Sequence, residues 1–287
     1  MTESALDRLK VASQYLAPQH LLSRLVGLLA ESRWPLIKNT FIDIFLNRFN
    51  IDMSLAAQED PHAYATFNDF FTRALKDGVR PITENGIACP ADGAVSQLGK
   101  IEDERIFQAK GHHYTLTQLL GGDPAKAAPF RNGDFITVYL SPRDYHRVHM
   151  PYNGVLKEMV YVPGDLFSVN ALTARNVPRL FARNERVVAF FDTDIGPMAV
   201  VLVGAMIVAS IETVWAGLVT PPKRELRVTN YEPHNNTIEL ARGGEMGRFK
   251  LGSTAIVLFG PNVVHWKESL REGSPTQMGE QIADIIN

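Results

Sequence analysis

The feature that most constrains this chain is a change of hydrophobic period near residue 79. Before it, apolar residues recur at helical spacing: Leu22, Leu25, Val26 and Leu29 fall at i, i+3, i+4 and i+7. Ile37, Phe41, Ile44, Phe45 and Phe49 repeat the pattern after Pro35, and Phe67, Phe70 and Phe71 add a short aromatic run. After it come short apolar runs punctuated by Gly and Pro. DFITVYL, VLKEMVYV, RVVAFF, RELRV, TIEL and STAIVLF read as strands, with DTDIGP as a hairpin connection. No alternation of strand and helix follows, so a parallel sheet is not expected. The pattern predicts the α+β class: a helical N-terminal region over 1–78, then a mainly antiparallel β-sandwich or barrel-like core over 79–287. The boundary falls at LKDGVRPI, residues 75–82.

Composition narrows the function classes. With 45% apolar and 21% charged residues the chain is expected to fold, and a formal net charge of -2 gives no basic surface for nucleic acid. A lone cysteine, Cys89, excludes an internal disulfide and a multi-cysteine zinc site, and reads as a small buried apolar residue. The N-terminal residues lack the apolar core of a secretory signal. The run MAVVLVGAMIVASI, 198–211, is too short to span a bilayer and reads as one buried strand. Without a spanning segment, surface attachment to a membrane stays open. The N-terminal helices either pack on the core or a partner, or lay leucine and aromatic side chains into the lipid headgroup region.

Three stretches could carry chemistry. In CPADGAVS, Asp92 sits between Pro90 and Gly93, where a turn would present its carboxylate firmly. In SPRDYHRVHMPYNG, His146 and His149 lie three apart, a spacing that would put them on one side of a helix or irregular turn. Two histidines alone do not make a metal site, and no metal is expected; they suit acid and base work near neutral pH. In RFKLGSTAIVLFG, a Gly252-Ser253 pair interrupts a strand-like run and offers a hydroxyl nucleophile. Ser, His and Asp together permit nucleophilic activation, but spacing does not establish a triad. Packing histidines, a turn aspartate and a strand serine remain the alternative.

The order of PADGAVSQLGKI, YLSPRDYHRVHMPYNG, YVPGDLFSVN, LFARNERV, VGAMIVASIETVWAG and EMGRFKLGST closely resembles the bacterial phosphatidylserine decarboxylases, along almost the whole chain. In that family LGST is the site of self-cleavage that makes a pyruvoyl group, and the tetrapeptide is intact here. The resemblance assigns Asp92, His149 and Ser253 to the self-cleavage triad acting on the Gly252-Ser253 bond. It implies a β chain, 1–252, and an α chain, 253–287, which stay together, and a dimer of these pairs.

The resemblance further implies a pyruvoyl cofactor, covalent and derived from Ser253, that takes the amine of phosphatidylserine as a Schiff base. Loss of CO2 then yields phosphatidylethanolamine, with His146 as the proton donor candidate and Ser168 and Asn170 as candidate headgroup contacts. Arg143 and Arg147 read as structural ion pairs or as partners of the substrate phosphate or carboxylate. A diacyl substrate implies a peripheral enzyme on the cytoplasmic face of the inner membrane. Charged substitutions at Phe41 and Phe45 are then expected to weaken liposome binding. The rival readings are a serine hydrolase, a non-enzymatic membrane-binding protein and a pyruvoyl enzyme for a soluble amino acid.

Overall fold

The computed structural model describes residues 5–206, 210–220, 225–231, 237–250 and 253–286. Three helices open the chain, Ala5–Leu16, Gln19–Ala30 and Pro35–Phe49. Pro35 begins the third, where its missing N–H costs nothing, and Asn50 ends it in the left-handed conformation (φ 50). A one-turn helix, Phe67–Phe71, follows; the Thr66 hydroxyl caps it by accepting from the Asp69 amide. Its aromatic side chains meet Phe41 and Phe45 in a small core of their own.

The remainder is β-rich, and every ladder between its strands is antiparallel. The nine-stranded sheet runs Arg227–Asn230, Gly154–Val162, Arg186–Thr193, Gly196–Val203, Ser253–Phe259, Asp134–Leu140, Gly93–Lys100 and Pro275–Thr276, with Glu239–Leu240 also on Gly154–Val162. A four-stranded sheet runs Gly217–Leu218, Ser210–Thr213, Glu245–Lys250 and Arg147–His149. The large sheet is covered on both faces. One face packs on the four-stranded sheet and on a three-stranded one. The other packs on short helices and the Arg105–Ala109/His112–Thr115 hairpin. Among the described residues no sheet closes into a barrel, so the sandwich half of the expectation describes the fold.

The two larger sheets share three chains in the same order. Gly196–Val203, Ser253–Phe259 and Asp134–Leu140 are neighbours in the large sheet. Their continuations Ser210–Thr213, Glu245–Lys250 and Arg147–His149 are neighbours in the small one. Three chains therefore leave one sheet and join the other along a single seam, as strands do at the corner of a packed pair of sheets. This corrects two readings of the sequence. The 198–211 run is not one strand: it ends one strand at Val203 and opens another, in a different sheet, at Ser210. RFKLGSTAIVLFG is likewise two strands, Glu245–Lys250 and Ser253–Phe259, in different sheets. The hairpin at DTDIGP forms as read, with Thr193 opposite Gly196. RELRV and TIEL contribute only Arg227–Asn230 and Glu239–Leu240 among the described residues.

The leucine face of the second helix is the other surprise. Its buried positions are Gln19, Ser23 and Ala30, while Leu25 and Leu28 are 51% and 73% exposed. The periodic apolar stripe points outward. Gln19 and its neighbours face inward because they grip a loop: Gln19 Oε1 accepts from the Leu166 amide at 2.7 Å, and His20 Nε2 donates to the Gly164 carbonyl at 3.0 Å. Phe41 and Phe45, read from the sequence as lipid contacts, are half-buried against Phe67 instead, at ring centroid distances of 6.0 and 5.2 Å.

Candidate active site at the seam between two sheets

Ser253 is the first residue of the central strand and lies on the seam. It is 0% exposed, its Cα pairs with Leu140, and its Oγ has no hydrogen-bond partner among the described residues. A buried hydroxyl without a partner gives up its solvation for nothing. The neighbouring Gly252 lies outside the described residues. Side chains alternate along the strand, so Ser253 shares a face with Ala255 and Val257, toward the smaller sheets. A cleft of about 380 Å3 lined by Ala94, Tyr139, Val169, Ala174 and Arg175 lies by the opposite face.

His149 ends the strand Arg147–His149 opposite Glu245, at the end away from the seam, and the expected helix or irregular turn is replaced by extended chain. A bulge opposite it, between Glu245 and Gly247, re-aims the ladder there. Gly247 is required at that bulge, since a Cβ would stand 2.5 Å from the Glu212 carbonyl oxygen. The tautomer of His149 follows from its partners. Nδ1 lies 2.8 Å from the Gly243 carbonyl, which can only accept, so Nδ1 carries the proton. Nε2 then presents its lone pair and accepts from the Tyr145 hydroxyl at 3.1 Å. Burial lowers the basicity of this imidazole, opposed by the Gly243 carbonyl. Tyr145 stays a donor, because burial pushes its pKa up to about 12.

Asp92 lies close by and serves a different partner. Its turn touches the histidine strand through the backbone, with the His149 amide donating to the Pro90 carbonyl at 2.8 Å. The carboxylate itself is held by Arg80, Nη2 to Oδ2 at 2.6 Å and Nε to Oδ1 at 2.9 Å, and by the Met278 amide at 2.8 Å. Gly93 after it lets the chain pass the next strand: a Cβ would stand 2.2 Å from the Tyr139 carbonyl oxygen. Of the three residues assigned to a triad, the structure brings Asp92 and His149 close together, while Ser253 sits on the seam with no side-chain hydrogen bond to either. The group that orients His149 is the Gly243 carbonyl; Asp92 reaches the imidazole only as a weak field.

His146 is fully buried and stacked on Phe71, with centroids 3.9 Å apart and planes inclined by 20°. Nε2 makes a long contact of 3.4 Å to the Pro142 carbonyl, and Nδ1 has no partner. Burial, aided by the charge of Arg73, pushes its pKa down to about 3. Arg147 is committed to structure, bonding Glu245 at 2.8 Å and the Thr72 carbonyl at 2.9 Å. Arg143 is exposed near Asp144 at 3.8 Å. Ser168 and Asn170 are engaged locally. Asn170 caps the helix Ala171–Asn176, and its Nδ2 donates to Ser168 Oγ at 2.9 Å. Cys89 is buried, and burial raises its pKa to about 12, as suits an inert core thiol.

A family model described as phosphatidylserine decarboxylase matches residues 67–284, and a second, PSD, matches residues 9–50. The chain belongs to the phosphatidylserine decarboxylase family. It is 66% identical over 280 residues to a phosphatidylserine decarboxylase proenzyme of Pseudomonas putida, covering 96% of this chain and 98% of that one. It is 65% identical over 281 residues to the proenzyme of Ectopseudomonas mendocina, with 97% and 98% covered. It is 64% identical over 279 residues to that of Bordetella avium, with 96% and 95% covered. Within this family member, four contacts of the site were silent in the sequence: Arg80 on Asp92, Tyr145 and Gly243 on His149, and Phe71 on His146. Tyr145 and Phe71 lay inside stretches already singled out, though not for this contact; Arg80 and Gly243 carried no pattern.

Proposed function

We propose that this chain is a phosphatidylserine decarboxylase that first cleaves itself between Gly252 and Ser253, and then converts phosphatidylserine to phosphatidylethanolamine in phospholipid biosynthesis. The observation that carries the reading is the buried Ser253 hydroxyl on the seam, which has no hydrogen-bond partner among the described residues; His149 presents an Nε2 lone pair once the Tyr145 hydroxyl turns away. His149 takes the Ser253 proton, and the hydroxyl oxygen attacks the carbonyl of the preceding residue. The Gly243 carbonyl holds the imidazole through Nδ1 and favours the imidazolium that forms. Asp92 adds negative charge to the same corner while its turn fixes the histidine strand through Pro90. Cleavage would give the β chain, 1–252, and the α chain, 253–287. The latter stays in place because all of Ser253–Phe259 is buried between two neighbouring strands.

The residues fit a pyruvoyl group derived from Ser253, since that position has a buried polar atom with no competing partner. When formed, the group supplies an electron sink for loss of CO2 from the substrate amine. His146 is the proton donor candidate: burial holds it as a neutral imidazole, and an adjacent substrate anion would raise its pKa toward the working range. Ser168 and Asn170 would touch a headgroup only by giving up their cap.

Residues 1–78 are the membrane-associating part of this reading and 79–287 the catalytic part. No helix among the described residues is long and apolar enough to cross a membrane. The outward leucines of the second helix, with Trp34, Leu36 and Ile44, form the surface that meets lipid, on the cytoplasmic face of the inner membrane. A dimer of α/β pairs completes the proposal. The direct test is CO2 release from carboxyl-labelled phosphatidylserine in mixed micelles by the wild type and by Ser253→Ala. Release by the wild type alone is expected; release by both contradicts the role of Ser253.

A further inference from the structure

One strong cation next to this site has no assigned task. Arg73 follows the Phe67–Phe71 helix by two residues and is only 5% exposed. Among the described residues its Nε and Nη1 have no hydrogen-bond partner, and no ion pair joins it. The guanidinium carbon sits 5.6 Å over the Phe70 ring. The neighbouring carboxylates are already engaged: Asp92 by Arg80, and Asp144 by the amide and hydroxyl of Ser141, both at 2.7 Å. A guanidinium taken out of water without partners costs stability, and such a cost points to a ligand that supplies the missing acceptors. The position fits. Phe71, two residues before Arg73, stacks on His146, and the Thr72 carbonyl between them holds Arg147.

We propose that Arg73 binds the phosphodiester anion of the substrate headgroup; this rests on the decarboxylase reading above. Two anions compete for the role, and charge development separates them. The carboxylate loses its charge as CO2 departs, so a buried cation on it would hold the ground state more tightly than the transition state. The phosphodiester keeps its charge from substrate to product. Arginine also suits it, with several N–H donors fixed in one plane for phosphate oxygens. Arg73 is thus a specificity determinant that selects phosphorylated amines over free serine.

The experiment compares self-processed wild type with Arg73→Gln and Arg73→Lys in mixed micelles, per pyruvoyl-bearing chain. It measures KM for phosphatidylserine and Ki for phosphatidylethanolamine, which carries the phosphate but no carboxylate. Arg73→Gln is expected to raise KM and Ki together by about ten- to a hundredfold, the loss of a charge-assisted bond, with a smaller change in kcat. Arg73→Lys is expected to give a smaller parallel rise, and it carries the comparison if Arg73→Gln fails to fold and process. A rise in KM with Ki unchanged assigns the cation to the carboxylate and overturns the proposal. Unchanged KM and Ki overturn it too. A wild type that releases no CO2 overturns the decarboxylase reading itself, a separable result.

Discussion

The ring of His146 lies flat on that of Phe71, 3.9 Å between centroids. This stack joins the N-terminal helical part to the β-rich part at the candidate site. Phe71 is fully buried among Phe45 and Phe67 as well, so its removal opens a cavity on the side of His146. Phe71→Ala is expected to cost about 3–5 kcal/mol in denaturant unfolding. Phe71→Leu, which keeps most of the volume, should process itself and yet lose much of its CO2 release. Equal activity of Phe71→Leu and wild type would reject a positioning role for the stack.

Acid stability follows from the same histidine. Its pKa falls from 6.5 to about 3 on folding, so the unfolded chain binds the proton more tightly than the native one. The stability tied to neutral His146 is therefore complete above pH 6.5 and declines as pH drops toward 3. Between pH 6.5 and pH 5 this amounts to about 2 kcal/mol. Urea unfolding of an unprocessed Ser253→Ala chain, with and without His146→Gln, should show a shallower acid decline in the double variant. Identical slopes would contradict the buried neutral state. His149 shifts in the same direction and adds to the decline in both chains.

Asp92 and His149 should separate in their effects. Asp92 belongs to a largely buried ion pair with Arg80, and breaking such a pair costs about 3–5 kcal/mol. Asp92→Asn is expected to lower unfolding stability as well as the rate of chain separation on a denaturing gel. His149→Gln should slow chain separation with a smaller loss of stability. If Asp92→Asn leaves stability unchanged, the Arg80 contact does not anchor the turn.

Membrane attachment is assigned to a different surface from the phenylalanines. Leu25→Glu with Leu28→Glu changes side chains already facing water, so folding and chain separation should proceed. Sedimentation with anionic liposomes should drop at least tenfold, since each buried leucine contributes about 1.5–3 kcal/mol. Phe41→Glu and Phe45→Glu should instead destabilise the aromatic core. Undiminished sedimentation of the leucine variant would remove the second helix from the membrane surface.

The sequence was most legible where pattern and environment coincide. DFITVYL and STAIVLF are buried on both faces and bounded by turns, so their apolar runs mark strands directly. The 198–211 run misled because its first and last described parts are both buried, and an unbroken apolar run does not record a change of sheet. Leu22, Leu25 and Leu29 share a helix face as their spacing says, but periodicity names a face and not what covers it. At the site, Asp92, His149 and Ser253 sat in recognisable motifs. Arg80, Gly243 and Arg73 reach it only through folding across long stretches of chain, and no local pattern announces them.

Intact mass spectrometry of the purified wild type tests the central claim most directly. The account predicts two chains that separate at 252/253, the smaller beginning with a pyruvoyl group in place of Ser253, and one uncleaved chain from Ser253→Ala. A single intact chain of 31.9 kDa from wild-type protein that releases CO2 would contradict it.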